Sequence, residues 1–477
     1  MNYRMIRNIL GWLLLFECGF MLVPTVTALV YREAQIWHFL ATMLLCGGLG
    51  GLCVLKKPKN STLYAREGFV IVSLSWLILS LFGALPFCIS GCIPNYVDAL
   101  FETVSGFTTT GASILSAVEP LPKCILMWRS FTHWVGGMGV LVFIMAFIPL
   151  SGGQNMHIMK AESPGPSVSK LVPRVKTTAL ILYSIYLALT LIQFILLLCG
   201  SMSPFEALTT AFGTAGTGGF SVRGDSMASY SPYIQWVVTV FMLLFSINFS
   251  CYYLFLLRRF KDAFNTELRR FIYIVGIVIL VITLNVRGAF DTLGETLRHV
   301  SFTVASLIST TGFATVDFNL WPELSRTLLV LIMFIGACAG STGGGLKISR
   351  LMILLRGAVN ELGNLIRPHR VKRITIDKRP VEPEVVRATN VYMIWYILIF
   401  TASVIIISFD DHDLITNFTA VTATINNIGP GLNLVGPTGN FGFFSIPSKL
   451  VLIFDMLAGR LEIFPVLALF APSTWKK

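Results

Sequence analysis

Long apolar runs constrain this chain more than any other feature. Ten of them are long enough, or nearly so, to cross about 30 Å of hydrocarbon as helices: 8–30, 36–55, 68–90, 126–150, 178–200, 233–257, 271–286, 326–352, 391–409 and 447–470. Only 13% of the residues are charged, against about 25% in ordinary soluble domains. The sequence therefore predicts an all-α polytopic membrane protein. The first run resembles a signal peptide, but Glu17 interrupts it and no small-residue cleavage site ends it, so we expect a retained helix.

The positions of Lys and Arg predict the orientation of the chain. If the N-terminus is cytoplasmic and the ten runs alternate in direction, most of the 36 Lys and Arg residues fall on the inner side. Such a bias sets the topology of multi-pass proteins, so both termini are expected in the cytoplasm. The formal net charge of +12 then needs no nucleic acid as a partner, because anionic lipid headgroups and an acidic cytosolic protein suffice.

A short motif recurs four times between pairs of apolar runs. Each copy is an amphiphilic segment that runs into a turn containing Thr, Ser or Asn and glycine, as in FETVSGFTTTG at 101–111 and FTVASLISTTG at 302–312. The four copies align on Gly111, Gly219, Gly312 and Gly429. One such motif carries no information, but four copies in the same context predict four short helices that dip into the membrane and return.

The motif divides the chain into five units. Residues 1–65 lack it and are predicted to form an accessory two-helix hairpin, whereas 66–165, 166–262, 263–384 and 385–477 each read as helix, pore helix and helix. Irregular backbone at membrane depth needs protein or a water-filled cavity around it. The expected fold is therefore an accessory hairpin plus four pseudo-symmetric helix–pore-helix–helix repeats around a central pore.

The short segments and their turns suit a dehydrated cation. The segments begin with Pro, Ser and acidic residues that cap helix N-termini, so their partly negative C-terminal ends would point at the turns. The same acids could serve only as caps, and the two interpretations are compatible. The turns are poor in charge, and four sets of backbone carbonyls can replace the hydration shell of an alkali ion. Glycine permits the backbone angles that aim such carbonyls. Small residues stand six positions before the glycines, as close packing demands: Ser105, Gly213, Ser306 and Ala423.

On these residues the chain resembles the membrane subunits of Trk-type bacterial potassium uptake systems, the TrkH/KtrB family of the Trk/Ktr/HKT superfamily. The likeness covers nearly the whole chain. The matching selectivity-filter residues are Thr110-Gly111-Ala112-Ser113, Gly218-Gly219-Phe220-Ser221, Thr311-Gly312-Phe313-Ala314 and Ile428-Gly429-Pro430-Gly431. The resemblance implies bound and transported potassium, with Thr110, Gly111, Gly218, Gly219, Thr311, Gly312, Ile428 and Gly429 as its ligands. Pro430 departs from the pattern because it lacks a backbone donor.

A glycine-rich stretch, GACAGSTGGGLK at 336–347, interrupts the second long helix of the third repeat. Clustered glycines are expected to break that helix. The resemblance implies an intramembrane gating loop made by Gly340, Ser341, Thr342, Gly343, Gly344, Gly345 and Lys347. Two alternatives remain at this point: a continuous helix that packs through a face of glycines, and a phosphate-binding loop. The second fits poorly because the lysine is one place late for that motif and Ile348 replaces its Ser or Thr.

Arg460 is the clearest cation within a predicted span. Such a residue is costly in the membrane and usually faces a cavity or a partner. The resemblance implies a positive barrier beside the gating loop, and a purely structural ion pair is the alternative. Glu462 is two residues away and faces another side of a helix, so it is a poor local partner. Asn426 and Asn427 are expected to hydrogen-bond the pore helices, and His133 is expected to be a packed residue without a role.

The segment 356–387 is basic and is too short for a soluble enzyme domain. It either obeys the charge bias of inner loops or forms a docking surface. The resemblance implies a TrkA-like cytosolic ring of nucleotide-binding regulatory subunits, a homodimer in the bacterial inner membrane, and no organic cofactor. The sequence predicts no enzyme, since an intramembrane hydrolase using Ser105 or Ser341 with His133 lacks any dyad spacing. Proton- or sodium-coupled potassium symport on the same scaffold is the alternative function.

Overall fold

The computed structural model describes residues 1–56, 64–139, 175–366, 373–377 and 379–475, and these residues are mostly helical. The predicted all-α class is confirmed. The exception is a small antiparallel hairpin, in which Thr375–Ile376 pairs with Arg379–Pro380. It lies within the basic segment that the sequence places on the inner side.

The N-terminal unit is a helical hairpin. It consists of Tyr3–Phe20, Leu22–Tyr31 and Ile36–Leu55. Its two arms approach closely because glycines lie between them: a Cβ atom at Gly11 would lie only 2.6 Å from the Cβ of Cys53. The hairpin is attached to the first repeat through Glu33, whose carboxylate accepts hydrogen bonds from the first backbone N–H groups of the helix Lys123–Gly137, at 2.7 and 2.9 Å.

Each repeat contains a long helix, a short helix with its glycine turn, and a further helix. The long helices are Ala65–Gly83 (extended by Leu85–Ile89), Val175–Cys199, Thr266–Val286 and Pro383–Ile407. The short helices are Tyr96–Phe107, Pro204–Ala215, Leu293–Ile308 and Leu414–Ile425. The further helices are Lys123–Gly137, Pro232–Phe245 with Phe249–Leu256, Glu323–Ile335 with Ile348–Ile366, and Ile446–Arg460 with Phe464–Phe470.

Minor helices complete the connections. One-turn α-helices are Phe260–Ala263 and Pro472–Trp475, and 3-10 turns are Arg287–Ala289, Phe318–Leu320, Ser408–Asp410 and Asn433–Val435.

Fewer straight spans are present than the ten apolar runs suggest. Among the described residues six helices are long and apolar enough to cross a membrane, or seven if the pair Pro232–Phe245 and Phe249–Leu256, bent by 91°, is one span. The runs 233–257 and 447–470 were expected to be continuous, and both expectations were wrong. In the first, Asn248 starts a new helix by accepting a hydrogen bond from Ser250 N–H (2.8 Å). The prediction for 126–150 beyond residue 139 lies outside the described residues.

The short helices start at side-chain caps and lie deep in the fold. Asn95, Ser203, Thr292 and Asp413 each accept a backbone N–H of the first turn. Asp98, in the first turn of the first short helix, forms an ion pair with Lys449 (2.7 Å). In this helix every residue from Ala99 to Phe107 is buried. Of the residue types predicted to cap these helices, serine and aspartate do so at Ser203 and Asp413, whereas Asn95 and Thr292 cap the other two helix starts.

Candidate functional site

The four glycine turns face one another around a common axis. At each glycine an added Cβ atom would overlap or crowd a carbonyl oxygen of the next turn in chain order, so no side chain fits. The pairs are Gly111 with Gly218, Gly219 with Thr311, Gly312 with Ile428, and Gly429 with Thr110. The last pair closes the ring, which brings together the potassium-ligand residues expected from the sequence.

Each short helix ends in the same hydrogen-bonded cap. In the first repeat Thr110 N–H donates to Ser105 C=O (2.9 Å) and Thr109 N–H donates to Gly106 C=O (3.1 Å), which is the Schellman arrangement. The other three turns repeat both bonds at equivalent positions. The small residue six places before each glycine therefore supplies the acceptor carbonyl of the cap, a role beyond the close packing expected for it.

The turns hold a left-handed backbone at two positions. The four glycines have φ between +75° and +97°, a region that other residues rarely adopt. Two residues earlier the cap position is also left-handed in Thr109, Thr217, Thr310 and Asn427, with φ between +53° and +60°. These angles redirect the chain after each short helix and bring the turns to the axis.

The side chains around the turns bond to the protein. Thr110 Oγ1 lies 2.8 Å from Thr108 Oγ1 and accepts from Asn427 Nδ2 at 2.9 Å. Asn427 Nδ2 also donates to Met456 O, and Asn426 bonds Thr422 O and Tyr396 Oη. The two asparagines therefore hydrogen-bond the short helices and their turns, as expected.

A cavity of about 130 Å³ opens on one side of the ring, which the sequence predicts to be external. All four ring glycines contribute to its wall, together with outer loops such as 435–441. Arg129 also lines it, although its side chain is only 2% exposed.

A buried ion pair supports this cavity and was missed in the sequence. Glu102 and Arg129 pair at 2.8 Å with almost no exposure. Glu102 also accepts from Ser113 Oγ (3.0 Å) and Ile114 N–H (3.0 Å), and Arg129 lies 4.1 Å from the centre of the Phe220 ring. The pair therefore holds the segments that follow the first two glycines. A second carboxylate, one turn after Asp98 in the same short helix, was the available signal.

His133 is packed, as expected, but it also has a structural role that was not expected. Its Nδ1 lies 2.9 Å from Gly106 O and its Nε2 accepts from Phe220 N–H (3.3 Å). Since Gly106 O can only accept and Phe220 N–H can only donate, the ring is the neutral tautomer with hydrogen on Nδ1. It connects the first short helix to the second glycine turn.

The glycine-rich loop lies directly against the ring. Residues 336–347 are not helical, so the predicted break is present and the continuous glycine-faced helix is wrong. Gly344 N–H donates to Thr310 Oγ1 (2.6 Å), and Gly345 N–H donates to Asn426 O (3.1 Å). The loop therefore contacts the third and fourth turns. Lys347 is buried and donates to Gly343 O.

Arg460 joins this loop to the first repeat. It donates from Nη1 to Thr342 O (2.8 Å) and from Nη2 to Gly137 O (2.7 Å) and Gly136 O. Glu462 points elsewhere, as expected, and pairs with Arg350 on the helix after the loop. Arg460 thus places a positive charge beside the loop, and these three hydrogen bonds are to carbonyl oxygens.

The hydrolase alternative finds no dyad. Both ring nitrogens of His133 are engaged with backbone groups, and Ser341 Oγ donates to Cys338 O (2.6 Å). In the part of the chain that the structure describes, no cluster of three His, Cys, Asp or Glu residues could hold a metal ion.

Comparisons with known proteins agree on one family. A family model described as "TrkH: Cation transport protein" matches residues 34–477. The Trk system potassium uptake protein TrkH of Salmonella typhimurium is 36% identical over the full length of both chains. TrkG of Escherichia coli is 32% identical, covering 100% of this chain and 99% of that protein. The crystal structure of the potassium transporter TrkH from Vibrio parahaemolyticus superposes with a TM-score of 0.89 at 34% identity over 100% of both chains.

Proposed function

The chain belongs to the TrkH family of cation transport proteins, and from this premise we propose that it takes up potassium across the bacterial inner membrane through a single-chain, four-repeat, channel-like pore. The chain is a transport protein and not an enzyme. Potassium is its cargo, and the proposal needs no organic cofactor.

One observation carries the proposal: the mutual contact of the four glycine turns. Each glycine is crowded by a carbonyl of the next turn, so main-chain oxygens from all four turns lie beside the ring glycines. A ring of carbonyls can replace the water that potassium loses. The proposed filter consists of Thr110, Gly111, Ala112, Gly218, Gly219, Phe220, Thr311, Gly312, Phe313, Ile428, Gly429 and Pro430.

The glycine-rich loop is the proposed gate. Its contacts with Thr310 and Asn426 support a position directly below the filter, where it would restrict ion passage. The charge of Arg460 at Thr342 O would repel a cation that leaves the filter. Withdrawal of the loop would remove both obstacles.

The basic segment 356–387 is the proposed docking surface for a TrkA-like cytosolic ring that binds nucleotide. The net charge of the chain supports an acidic partner on that side. We also propose a homodimer, by resemblance to the family.

Rubidium uptake into vesicles containing the purified protein tests the proposal. Uptake driven by a rubidium gradient, and competed by potassium much more than by sodium, is the expected result. Addition of the cytosolic partner with nucleotide should change the rate. Vesicles that take up no more rubidium than protein-free vesicles, with or without the partner, would reject the proposed pathway.

Coupled symport with protons or sodium is the second candidate, and one buried acid favours it. Asp455 is fully buried; its Oδ1 accepts from Ser403 Oγ (2.7 Å), and its Oδ2 has no hydrogen-bond partner among the described residues. Intramembrane acids often mark coupling-ion pathways. Potassium flux driven by a potassium gradient alone, with pH and sodium clamped, separates the two: a channel conducts under this condition, whereas a strictly coupled symporter does not.

A further inference from the structure

A glutamate outside the proposed filter bridges the two ends of the glycine-rich loop. Glu267 is the second residue of the helix Thr266–Val286 and is 8% exposed. Its Oε1 accepts hydrogen bonds from Ala339 N–H (2.8 Å) and Ser349 N–H (3.2 Å). Ala339 lies near the start of the loop, and Ser349 lies in the first turn of the helix that follows it. One carboxylate oxygen thus holds together the ends of a segment that has no helix of its own.

The residue before Glu267 is attached to the basic segment. Thr266 donates to Asp377 Oδ1 from its backbone N–H (2.8 Å) and from its hydroxyl (2.6 Å). Asp377 lies between the two strands of the small hairpin, and Arg356, on the helix after the loop, donates to Thr375 O of the same hairpin. The hairpin is therefore fastened both to the helix that carries Glu267 and to the helix that leaves the loop.

These contacts do more than start a helix. Asn265 already caps the helix by accepting a hydrogen bond from Leu268 N–H (2.8 Å), so the bond to Asp377 is additional. Hydrogen bonds from N–H groups to a carboxylate are roughly twice as strong as neutral ones. Both carboxylates also lie at a helix N-terminus, where negative charge is favourable. The two adjacent residues Thr266 and Glu267 connect the hairpin to the loop through strong, directional bonds.

We propose that Glu267 is a positioning residue that holds the glycine-rich loop against the glycine turns, and that Asp377, through Thr266, stabilises this hold from the basic segment. The inference rests on the proposed function, in which the loop restricts ion passage. Displacement of the hairpin from Thr266 would disturb the first helical turn, where Glu267 lies. The loop ends would then separate from their shared acceptor.

Two measurements on the full-length protein in vesicles test this role: hydrogen exchange of the peptide that contains 336–349, and rubidium influx without any partner. In Glu267→Ala we expect both rates to rise by about tenfold or more, since losing a charge-assisted hydrogen bond shifts a two-state equilibrium by that factor. Glu267→Gln retains an oxygen that accepts both N–H groups through neutral hydrogen bonds, which are roughly half as strong, so both rates should rise by only about threefold. A rise as large as in Glu267→Ala would overturn a role through these hydrogen bonds.

Asp377→Ala should raise both the hydrogen-exchange rate of the loop and the rubidium influx, as Glu267→Ala does. Asp262→Ala is the matched control, because it removes a carboxylate that is 54% exposed and paired only with neighbouring Arg259 in the described structure; it should change neither. The double variant Glu267→Ala/Asp377→Ala should have exchange and influx rates only slightly higher than those of Glu267→Ala, because both substitutions break the same connection.

Wild-type exchange and wild-type flux in Glu267→Ala and Asp377→Ala would overturn the inference. Fully additive effects would overturn the connection through Asp377. If Glu267→Ala inserts poorly, Asp377→Ala is used instead, because Asp377 is exposed. Hydrogen exchange of the loop in that variant then tests the inference by itself. Absence of rubidium uptake by the wild-type protein would instead reject the proposed function, and the exchange rates would still test the attachment of the loop.

Discussion

The guanidinium of Arg350 pairs with the carboxylate of Glu462, which lies 112 residues further along the chain. Arg350 also lies 3.9 Å from the centre of the Tyr392 ring. The pair connects the helix after the glycine-rich loop to the break between Ile446–Arg460 and Phe464–Phe470. Elements of the third and fourth repeats are thus held together by one ion pair.

Removal of one partner of this pair should be costly. Arg350→Met leaves the Glu462 carboxylate, only 13% exposed, without its cation. We expect the free energy of unfolding in detergent to fall by about 3–5 kcal/mol. Arg350→Met with Glu462→Leu should recover most of this loss, because no isolated charge remains. A double variant whose free energy of unfolding falls as much as that of Arg350→Met, or more, would contradict the prediction.

Substitution of the ring glycines should reduce selectivity. Gly312→Ser and Gly111→Asp place a Cβ atom onto the carbonyl oxygens of Ile428 and Gly218, so the carbonyl ring must open. We expect the preference for potassium over sodium, measured by competition with rubidium uptake, to fall by about tenfold, which corresponds to about 1.4 kcal/mol. Gly276→Ser is the control, since a Cβ atom there meets nothing within 4 Å. An unchanged potassium/sodium ratio in both filter variants would count against the filter.

Shortening the glycine-rich loop should open the pathway. Deletion within Gly343–Gly345 removes the N–H groups that bond Thr310 and Asn426 and pulls the remaining loop away from the ring. We expect a higher basal rate of rubidium influx. Lower influx at a normal amount of inserted protein would show that the loop supports conduction and does not block it.

The charge of Arg460 should affect the basal rubidium influx more than its hydrogen bonds do. Arg460→Gln keeps a donor for Thr342 O but removes the positive charge, and we expect basal influx to rise. Arg460→Lys retains the charge and loses the planar donor group, so its influx should stay closer to wild type. Equal increases in both variants would instead assign the effect to the lost hydrogen bonds.

Glu102 should be essential to the stability of the external cavity. Glu102→Gln leaves the buried Arg129 without its counter-charge, with an expected loss of about 3–5 kcal/mol in the free energy of unfolding. Asp262→Asn breaks a pair whose side chains are 63% and 54% exposed, and should cost about 1 kcal/mol or less. Thermal unfolding of the two variants in the same detergent compares them directly. Similar losses of stability in both would refute the distinction between the buried pair and the exposed pair.

The glycine turns were predictable because their signal is local. A capped short helix, a polar turn and a glycine stand within one stretch of sequence, and the stretch occurs four times. The left-handed backbone of Thr109, Thr217 and Thr310 was not signalled, because β-branched residues rarely adopt it. The break at 336–347 was predictable for the same reason, since four clustered glycines disfavour a helix.

Other parts of the site depend on partners far apart in the chain. The sequence analysis missed the helix break at Glu462 and Ile463, although Pro465 signals that a helix ends before it. Both residues have left-handed backbones, with φ of 62° and 64°, and Glu462 is held by Arg350, which no local signal indicates. The Glu102–Arg129 pair likewise joins two helices. Such residues look like ordinary charges in an apolar run until the packing brings them together.

The bond from Gly344 N–H to the hydroxyl of Thr310 has a consequence for any change in the loop. Thr310 is the left-handed cap residue of the third short helix, one position before Thr311, whose carbonyl crowds Gly219. A loop that retracts takes away a donor from the wall of the proposed filter. In the proposed pore, permeation and ion discrimination therefore depend on the same bond, and a substitution that alters one is expected to alter the other.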